Sequence, residues 1–274
     1  MKHHLTISKD GSHTLKLDDY DECYHSTNGA FAEACHIYIK EGLGHLLKSL
    51  PQNTREVNVI DIGLGTALNC ITTLAWQQNL LSQGLTAPAI HYIGIEKYPI
   101  TSEEAAQLNF PTHIASTLRN SAHNGTIRRL FSEQFPNANT ASLPGEKQLS
   151  GWFRKIHTSK WEDSVEIAQG FRLTKHLGDI TLCKKEDYRS RLYPAAPSVI
   201  YYDTFSPATQ PQLWAKEIFE TIYNAVNPAS VLTTYCSKGI VKQAIRESGF
   251  TLERLSGPPG KRHILRATKP FTQP

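Results

Sequence analysis

No run in the 274-residue chain approaches the roughly 20 consecutive apolar residues that a bilayer-spanning helix needs. The opening stretch, MKHHLTISKDGSHTLKL, also lacks the apolar core of a secretion signal. Both absences point to a cytoplasmic protein. Paired cysteines are missing too: Cys23, Cys35, Cys70, Cys183 and Cys236 are scattered singly, odd in number and without a C-x-x-C pair. That pattern fits reduced thiols better than a disulfide or zinc framework, so no structural metal is expected. Cys35 and His36 are adjacent, but two neighbours alone make a poor metal site.

Charge of one sign is scarce overall and concentrated locally. The chain carries a net charge of only +4. From Tyr235 onward, however, Lys238, Lys242, Arg246, Arg254, Lys261, Arg262, Arg266 and Lys269 stand against Glu247 and Glu253 alone. Such a basic C-terminal face suits a polyanion such as nucleic acid, and it also suits plain solvation.

The pattern along the chain is that of an α/β protein. Weak alternation around Asp10-Gly11 suggests an N-terminal hairpin. Residues 30–50 carry Phe31, Ala34, Ile37, Tyr38, Leu43, Leu46 and Leu47 at near-helical spacing, broken by Gly42 and Gly44. VNVIDI then runs into a glycine turn and an apolar-striped helix, and AIHYIGIE forms a second strand stopped by Pro99. Residues 101 to about 175 read as a mostly helical or irregular insertion, with PNANTASLPGEK as a surface loop. Further strands are expected at 180–183, 199–202 and 230–235, with helices over 214–226 and 239–249. FTLERL and HILRAT close the chain as a hairpin. The order predicts one domain over 1–274, with an N-terminal extension (1–50) and a Rossmann-like core (51–274), its doubly wound sheet mainly parallel with an antiparallel edge.

The glycine turn, Asp61-Ile62-Gly63-Leu64-Gly65-Thr66-Ala67, sits where backbone amides at a helix start can meet a ligand. A nicotinamide site wants a third glycine at Leu68 and an acid about 20 residues on; here the strand-end acid, Glu96, follows Gly65 by 31 residues. The S-adenosylmethionine pattern, acid-x-G-x-G-x-G with an acid ending the next strand, is met by Asp61, Gly63, Gly65 and Glu96, with Ala67 for the third glycine. The same glycines also serve an ordinary tight turn. Asp179, after Gly178, suits either an adenine amino group or a turn.

YYDTFSP raises a separate question, because Asp203 ends an apolar strand between aromatic residues. A carboxylate there needs a structural partner or a chemical task. It can cap the following helix, or it can hydrogen-bond an amine and steady the charge that grows on nitrogen during alkylation. Phe205 can stack on a base, whereas Trp214 reads as a core residue.

Taken in order and spacing, CYHSTNGAFAEACHIYIKEGL, DIGLGTALN, GIEKYP, IYYDTFSPATQPQLW, TYCSKGIVKQAIRESGF and GPPGKRHILRA resemble the methyltransferase domain of the MnmC type. The likeness runs from about Asp10 to Ala267, and D-x-F-x-P-x-x-x-P-x-x-W is its most specific element. It implies a class I methyltransferase fold that uses S-adenosylmethionine to convert 5-aminomethyl-(2-thio)uridine of tRNA into its 5-methylaminomethyl form. It implies Asp203 as the catalytic residue, and Asp61, Gly63, Gly65, Asn69, Glu96 and Asp179 around the cofactor. Tyr24, Glu33, Phe205, Lys238, Lys261 and Arg262 would face the tRNA substrate. Two-domain members add a flavin-dependent oxidase that makes the amine, so the resemblance implies a stand-alone methyltransferase served by a separate enzyme. Ala67, Ser206 and the NPAS turn (227–230) depart from the family pattern and bear on affinity more than on chemistry. Methylation of another amine, and a catalytically silent tRNA-binding module, are the competing readings.

Overall fold

The structure, a computed structural model, describes residues 3–18, 22–51, 53–82, 84, 86–119 and 144–271. Most of the expected polar loop, 136–143, lies outside these residues. At the N-terminus β1 (His3–Ile7), β2 (His13–Leu17) and β3 (Glu22–Cys23) form a small antiparallel sheet, so the hairpin around Asp10-Gly11 is present.

The core is one eight-stranded sheet. Its strands are β4 (Glu56–Ile62), β5 (Ala89–Glu96), β6 (Ser164–Ala168), β7 (Phe171–Leu177), β8 (Ser198–Tyr202), β9 (Val231–Thr234), β10 (Thr251–Ser256) and β11 (His263–Thr268), in the order β10-β11-β9-β8-β4-β5-β7-β6. The five strands from β9 across to β7 are parallel. β11 and β6 run antiparallel to their neighbours at the two ends. All of β8 and six of the seven β4 residues are buried, as expected of central strands covered by helices on both faces. The chain leaves β4 for β5 and β7 on one side and for β8 and β9 on the other. Ligands bind outside the strand ends at such a switch point.

Four expectations need correction. The strand expected at 180–183 is a 3-10 turn, Ile180–Leu182, capped by the Asp179 side chain. The true neighbour of β5 is β7, inside the segment read as helical or irregular, and β6 lies there as well. FRLTKHL hides its strand character behind charge: Lys175 is only 2% exposed, donates to the His157 carbonyl at 2.9 Å and lies 4.9 Å from the Trp161 ring centre. Trp214 belongs to a 3-10 turn, Pro211–Trp214, ahead of the helix Lys216–Ala225, although it is buried against Tyr202 and Phe219 as a core residue should be. Finally, Gly42 breaks nothing, because Ala30–Ala34, a π-wound stretch Cys35–Gly44, and His45–Ser49 follow one another without interruption. A Cβ on Gly42 would lie 3.0 Å from Thr233 Oγ1 and 3.3 Å from Val199 Cγ2. The glycine lets this helical run press onto the sheet.

Candidate active site

The turn after β4 and the end of β8 are built against each other. Gly63 has φ of +90°, and a Cβ there would stand 2.7 Å from the Asp203 carbonyl oxygen. The Asp203 amide donates to the Ile62 carbonyl at 3.0 Å. Two residues on, the Gly65 amide donates to Glu96 Oε2 at 2.9 Å, while Glu96 Oε1 accepts the Lys97 and Tyr98 amides, each at 2.8 Å. Glu96 thus braces the glycine turn from the neighbouring strand. Ala67, where the family pattern has glycine, is buried with φ of +60°, a conformation that costs an L-residue roughly 1 kcal/mol.

Gly63, Gly65, Glu96, Asp179, Asp203 and Phe205 line one cleft of about 540 Å³, the size of a nucleotide-type ligand. Asp61 does not line it. It is fully buried beneath the turn, its Oδ2 accepting the Tyr92 hydroxyl at 2.5 Å. Burial pushes its carboxyl well above the ordinary carboxylate range, and the Tyr92 bond opposes that only in part. Asp179 keeps both oxygens engaged, one with the Thr181 amide at 2.9 Å and the other with Lys97 Nζ at 2.9 Å. Against its partial burial, Lys97 and Thr181 hold that carboxyl below the usual range.

Asp203 is oriented from the side. Asn69, in the first turn of the helix Leu68–Ser82, donates through Nδ2 to Asp203 Oδ2 at 2.8 Å. The sequence grouped Asn69 with the cofactor; its contact in the structure is with the carboxylate. The loop beyond Asp203 is pinned from three directions. Tyr235 donates to the Thr204 carbonyl at 2.8 Å and Trp214 Nε1 to the Phe205 carbonyl at 2.9 Å. Glu22, from β3, accepts the Ser206 amide at 3.0 Å and the Thr209 hydroxyl. Tyr24 meets Phe205 edge to face, ring centres 5.2 Å apart. Sequence reasoning missed Glu22, because nothing in YDECYH signals a contact with a loop so far along the chain. Glu22→Ala is expected to lower kcat/KM about tenfold while leaving cofactor affinity within about twofold, because a carboxylate hydrogen bond of this kind contributes roughly 1.5–3 kcal/mol. Steady-state kinetics beside a cofactor titration checks the split.

Also lining the cleft, Glu33 pairs with Lys261, Nζ to Oε2 2.8 Å, and the same ammonium lies 4.5 Å from the Tyr235 ring centre. Lys238 and Arg262 are exposed and do not line the cleft. His25 lines it with Nε2 at 2.5 Å from Thr66 Oγ1, and burial holds its pKa below that of an ordinary histidine. The lining therefore sets Glu22, Glu33, Glu96, Asp179 and Asp203 against Lys97 and Lys261. In a chain of net charge +4 this is an acidic cleft, suited to cationic ligands. A sulfonium cofactor fits that character, and Gly63 and Gly65 line the cleft, their missing side chains letting the Asp203 carbonyl and the Tyr24 ring close in on the turn. Among the described residues, no group of three or more His, Cys, Asp or Glu is arranged to hold a metal ion, and no helix is long and apolar enough to cross a membrane.

Comparison with known proteins agrees with this geometry. Residues 146–270 match the family model described as S-adenosyl-L-methionine-dependent methyltransferase. The tRNA 5-methylaminomethyl-2-thiouridine biosynthesis bifunctional protein MnmC of Cupriavidus necator is 28% identical over 88% of the chain. Its counterpart from Burkholderia vietnamiensis is 26% identical over 95%. The chain spans about a third of the length of these curated relatives, 31% and 34%. The crystal structure of MnmC2 from Aquifex aeolicus aligns with all of the chain and 72% of its own length, with a TM-score of 0.64 at 18% identity, a likeness of fold. The strand order and the strand-end cleft are those of a class I methyltransferase fold, residues 146–270 match the S-adenosyl-L-methionine-dependent methyltransferase model, and along nearly its whole length the chain is similar to MnmC proteins.

Proposed function

We propose that the protein N-methylates 5-aminomethyl-(2-thio)uridine at the wobble position of tRNA, giving 5-methylaminomethyl-(2-thio)uridine. The observation that carries this reading is Asp203, held by Asn69 at the end of β8 in an acidic cleft and followed by the pinned Phe205 loop. Gly63, Gly65 and Glu96 would hold S-adenosylmethionine, which would supply an electrophilic methyl group. The chain's own residues supply alignment. Asp203 accepts a hydrogen bond from the substrate amine, aims its lone pair, and stabilises the positive charge that develops on nitrogen. Asn69 steadies Oδ2 from one side, and the Asp203 side chain faces the cleft that the amine enters.

Phe205 and Tyr24, already in edge-to-face contact, form the wall on which the uracil stacks, a contribution of roughly 1–3 kcal/mol. Lys238 and Arg262, exposed near the C-terminal end, contact tRNA phosphates. A separate enzyme supplies the primary amine, and the work is done in the cytoplasm, where tRNA is modified. The direct test is incubation with labelled S-adenosylmethionine and tRNA carrying 5-aminomethyluridine, with nucleosides identified by mass spectrometry. Label is expected in 5-methylaminomethyluridine. Its absence there overturns the assignment, and label in a small amine instead would favour the other enzymatic reading.

A further inference from the structure

One cation in the cleft belongs to the protein itself. The Lys261 ammonium is gripped by a buried carboxylate, Glu33 Oε2 at 2.8 Å, and stands 4.5 Å from the Tyr235 ring centre. A carboxylate beside an aromatic face is the chemistry that binds a primary alkylammonium. Glu33, Tyr235 and Lys261 line the same cleft as Asp203 and Phe205. The Tyr235 ring is fixed, since its hydroxyl is committed to the Thr204 carbonyl at 2.8 Å. Lys261 reaches the pair from the turn between β10 and β11 on a four-carbon stem with several rotatable bonds, by which the ammonium can swing away.

We propose that the Glu33 carboxylate and the Tyr235 ring face form the subsite that receives the substrate's primary ammonium group, that Lys261 is its internal occupant, and that Glu33 takes the proton whose loss frees the amine lone pair. This deepens the methyl-transfer reading and rests on it. The substrate ammonium displaces Lys261, which carries its own proton out to solvent. One proton then passes from R–CH2–NH3+ to the Glu33 carboxylate, leaving R–CH2–NH2 with its lone pair and a neutral carboxylic acid. Glu33 returns the proton to water when Lys261 swings back.

The groups around Glu33 leave it as the acceptor. Burial and the nearby Asp203 charge raise its pKa, Lys261 opposes that rise, and the substrate ammonium that replaces Lys261 takes over the opposing role until its own proton has passed to the carboxylate. Tyr38, from the π-wound stretch, and Tyr235 are both pushed up by burial and by nearby Asp203, so they stay neutral and hold their own protons. His25, from the N-terminal extension, is held below an ordinary histidine by burial and is engaged with Thr66. Asp203 is fixed by Asn69 as the aligning acceptor.

The test uses the full chain and two readouts. Ethylammonium chloride, with ethanol as the neutral control, is titrated at about pH 8 into wild type, Lys261→Met, Lys261→Gln and Lys261→Met/Glu33→Gln, followed through the ring signals of labelled tyrosine. Emptying the subsite should tighten ethylammonium binding by roughly tenfold or more, because the wild-type site is mostly occupied. The double variant should lose that binding. Equal affinity for wild type and both single variants, or binding that survives Glu33→Gln, overturns the subsite. In turnover assays with 5-aminomethyluridine tRNA, Glu33→Gln should lower kcat by about 10²-fold near neutral pH and recover as pH rises and the free amine accumulates. A pH profile parallel to wild type removes Glu33 from proton transfer. If ethylammonium binds as expected while wild type leaves the tRNA unmethylated, the subsite stands and the tRNA assignment falls.

Discussion

Replacing Asp203 by alanine is expected to lower turnover about 10³-fold while leaving S-adenosylmethionine affinity within about twofold. The magnitude is that of removing a group which both aligns the nucleophile and stabilises developing charge. The split between binding and chemistry follows from the geometry. Glu96 and the Gly65 amide are joined to each other, whereas the Asp203 side chain is held by Asn69 with the Tyr38 hydroxyl beside it. Isothermal titration with the cofactor beside single-turnover methylation measures both quantities. An unchanged single-turnover rate removes Asp203 from the mechanism. Loss of cofactor binding in parallel with the rate would assign it a structural task instead.

The second large effect belongs to a residue with no side chain. Gly63→Ala is expected to destabilise the fold by about 3 kcal/mol and to lower Tm by roughly 5–10 °C. Two independent costs add at this position. The backbone sits at φ of +90°, where an L-residue is strained, and the new methyl carbon would meet the Asp203 carbonyl oxygen at 2.7 Å. That oxygen is main chain, so relief requires the end of β8 to move away from the turn after β4. Cofactor affinity and turnover should therefore fall together, in contrast to Asp203→Ala. Calorimetric melting and cofactor titration of the same preparation check the claim. A melting temperature within a degree or so of wild type would show that the two backbones separate freely.

The parts of this architecture that could be read from sequence are those in which composition and burial agree. β4, β5 and β8 are near-continuous apolar runs ending in a glycine turn or an acid, and each was legible as a central strand. The closing hairpin was legible through its alternation and its Gly-Pro-Pro-Gly turn. β7 was not, because Lys175 breaks the apolar pattern and is satisfied only by a carbonyl and an indole contributed from elsewhere in the fold. The site divides in the same way. Gly63, Gly65, Glu96, Asp203 and Phe205 announce themselves by their address at strand ends, and all five line the cleft. Asn69 was grouped with the cofactor because it closes a motif, yet the helix start aims it at Asp203. Glu22 gave no signal, since its meaning lies in Ser206 and Thr209, at the far end of the sequence. Lys261 belonged by charge to a basic surface; its ion pair with buried Glu33 turns it inward.

That ion pair also bears on how the protein comes into being. Glu33 lies near the start of the chain and Lys261 near its end, and the neighbouring Gly260 fits against Asn28 so closely that a Cβ would approach Asn28 Nδ2 to 2.4 Å. Contacts between such distant stretches form late, because the intervening chain must be ordered first. A ribosome making this protein therefore carries an incomplete cleft until the β10–β11 hairpin has emerged. Methyl-transfer competence should not precede that hairpin.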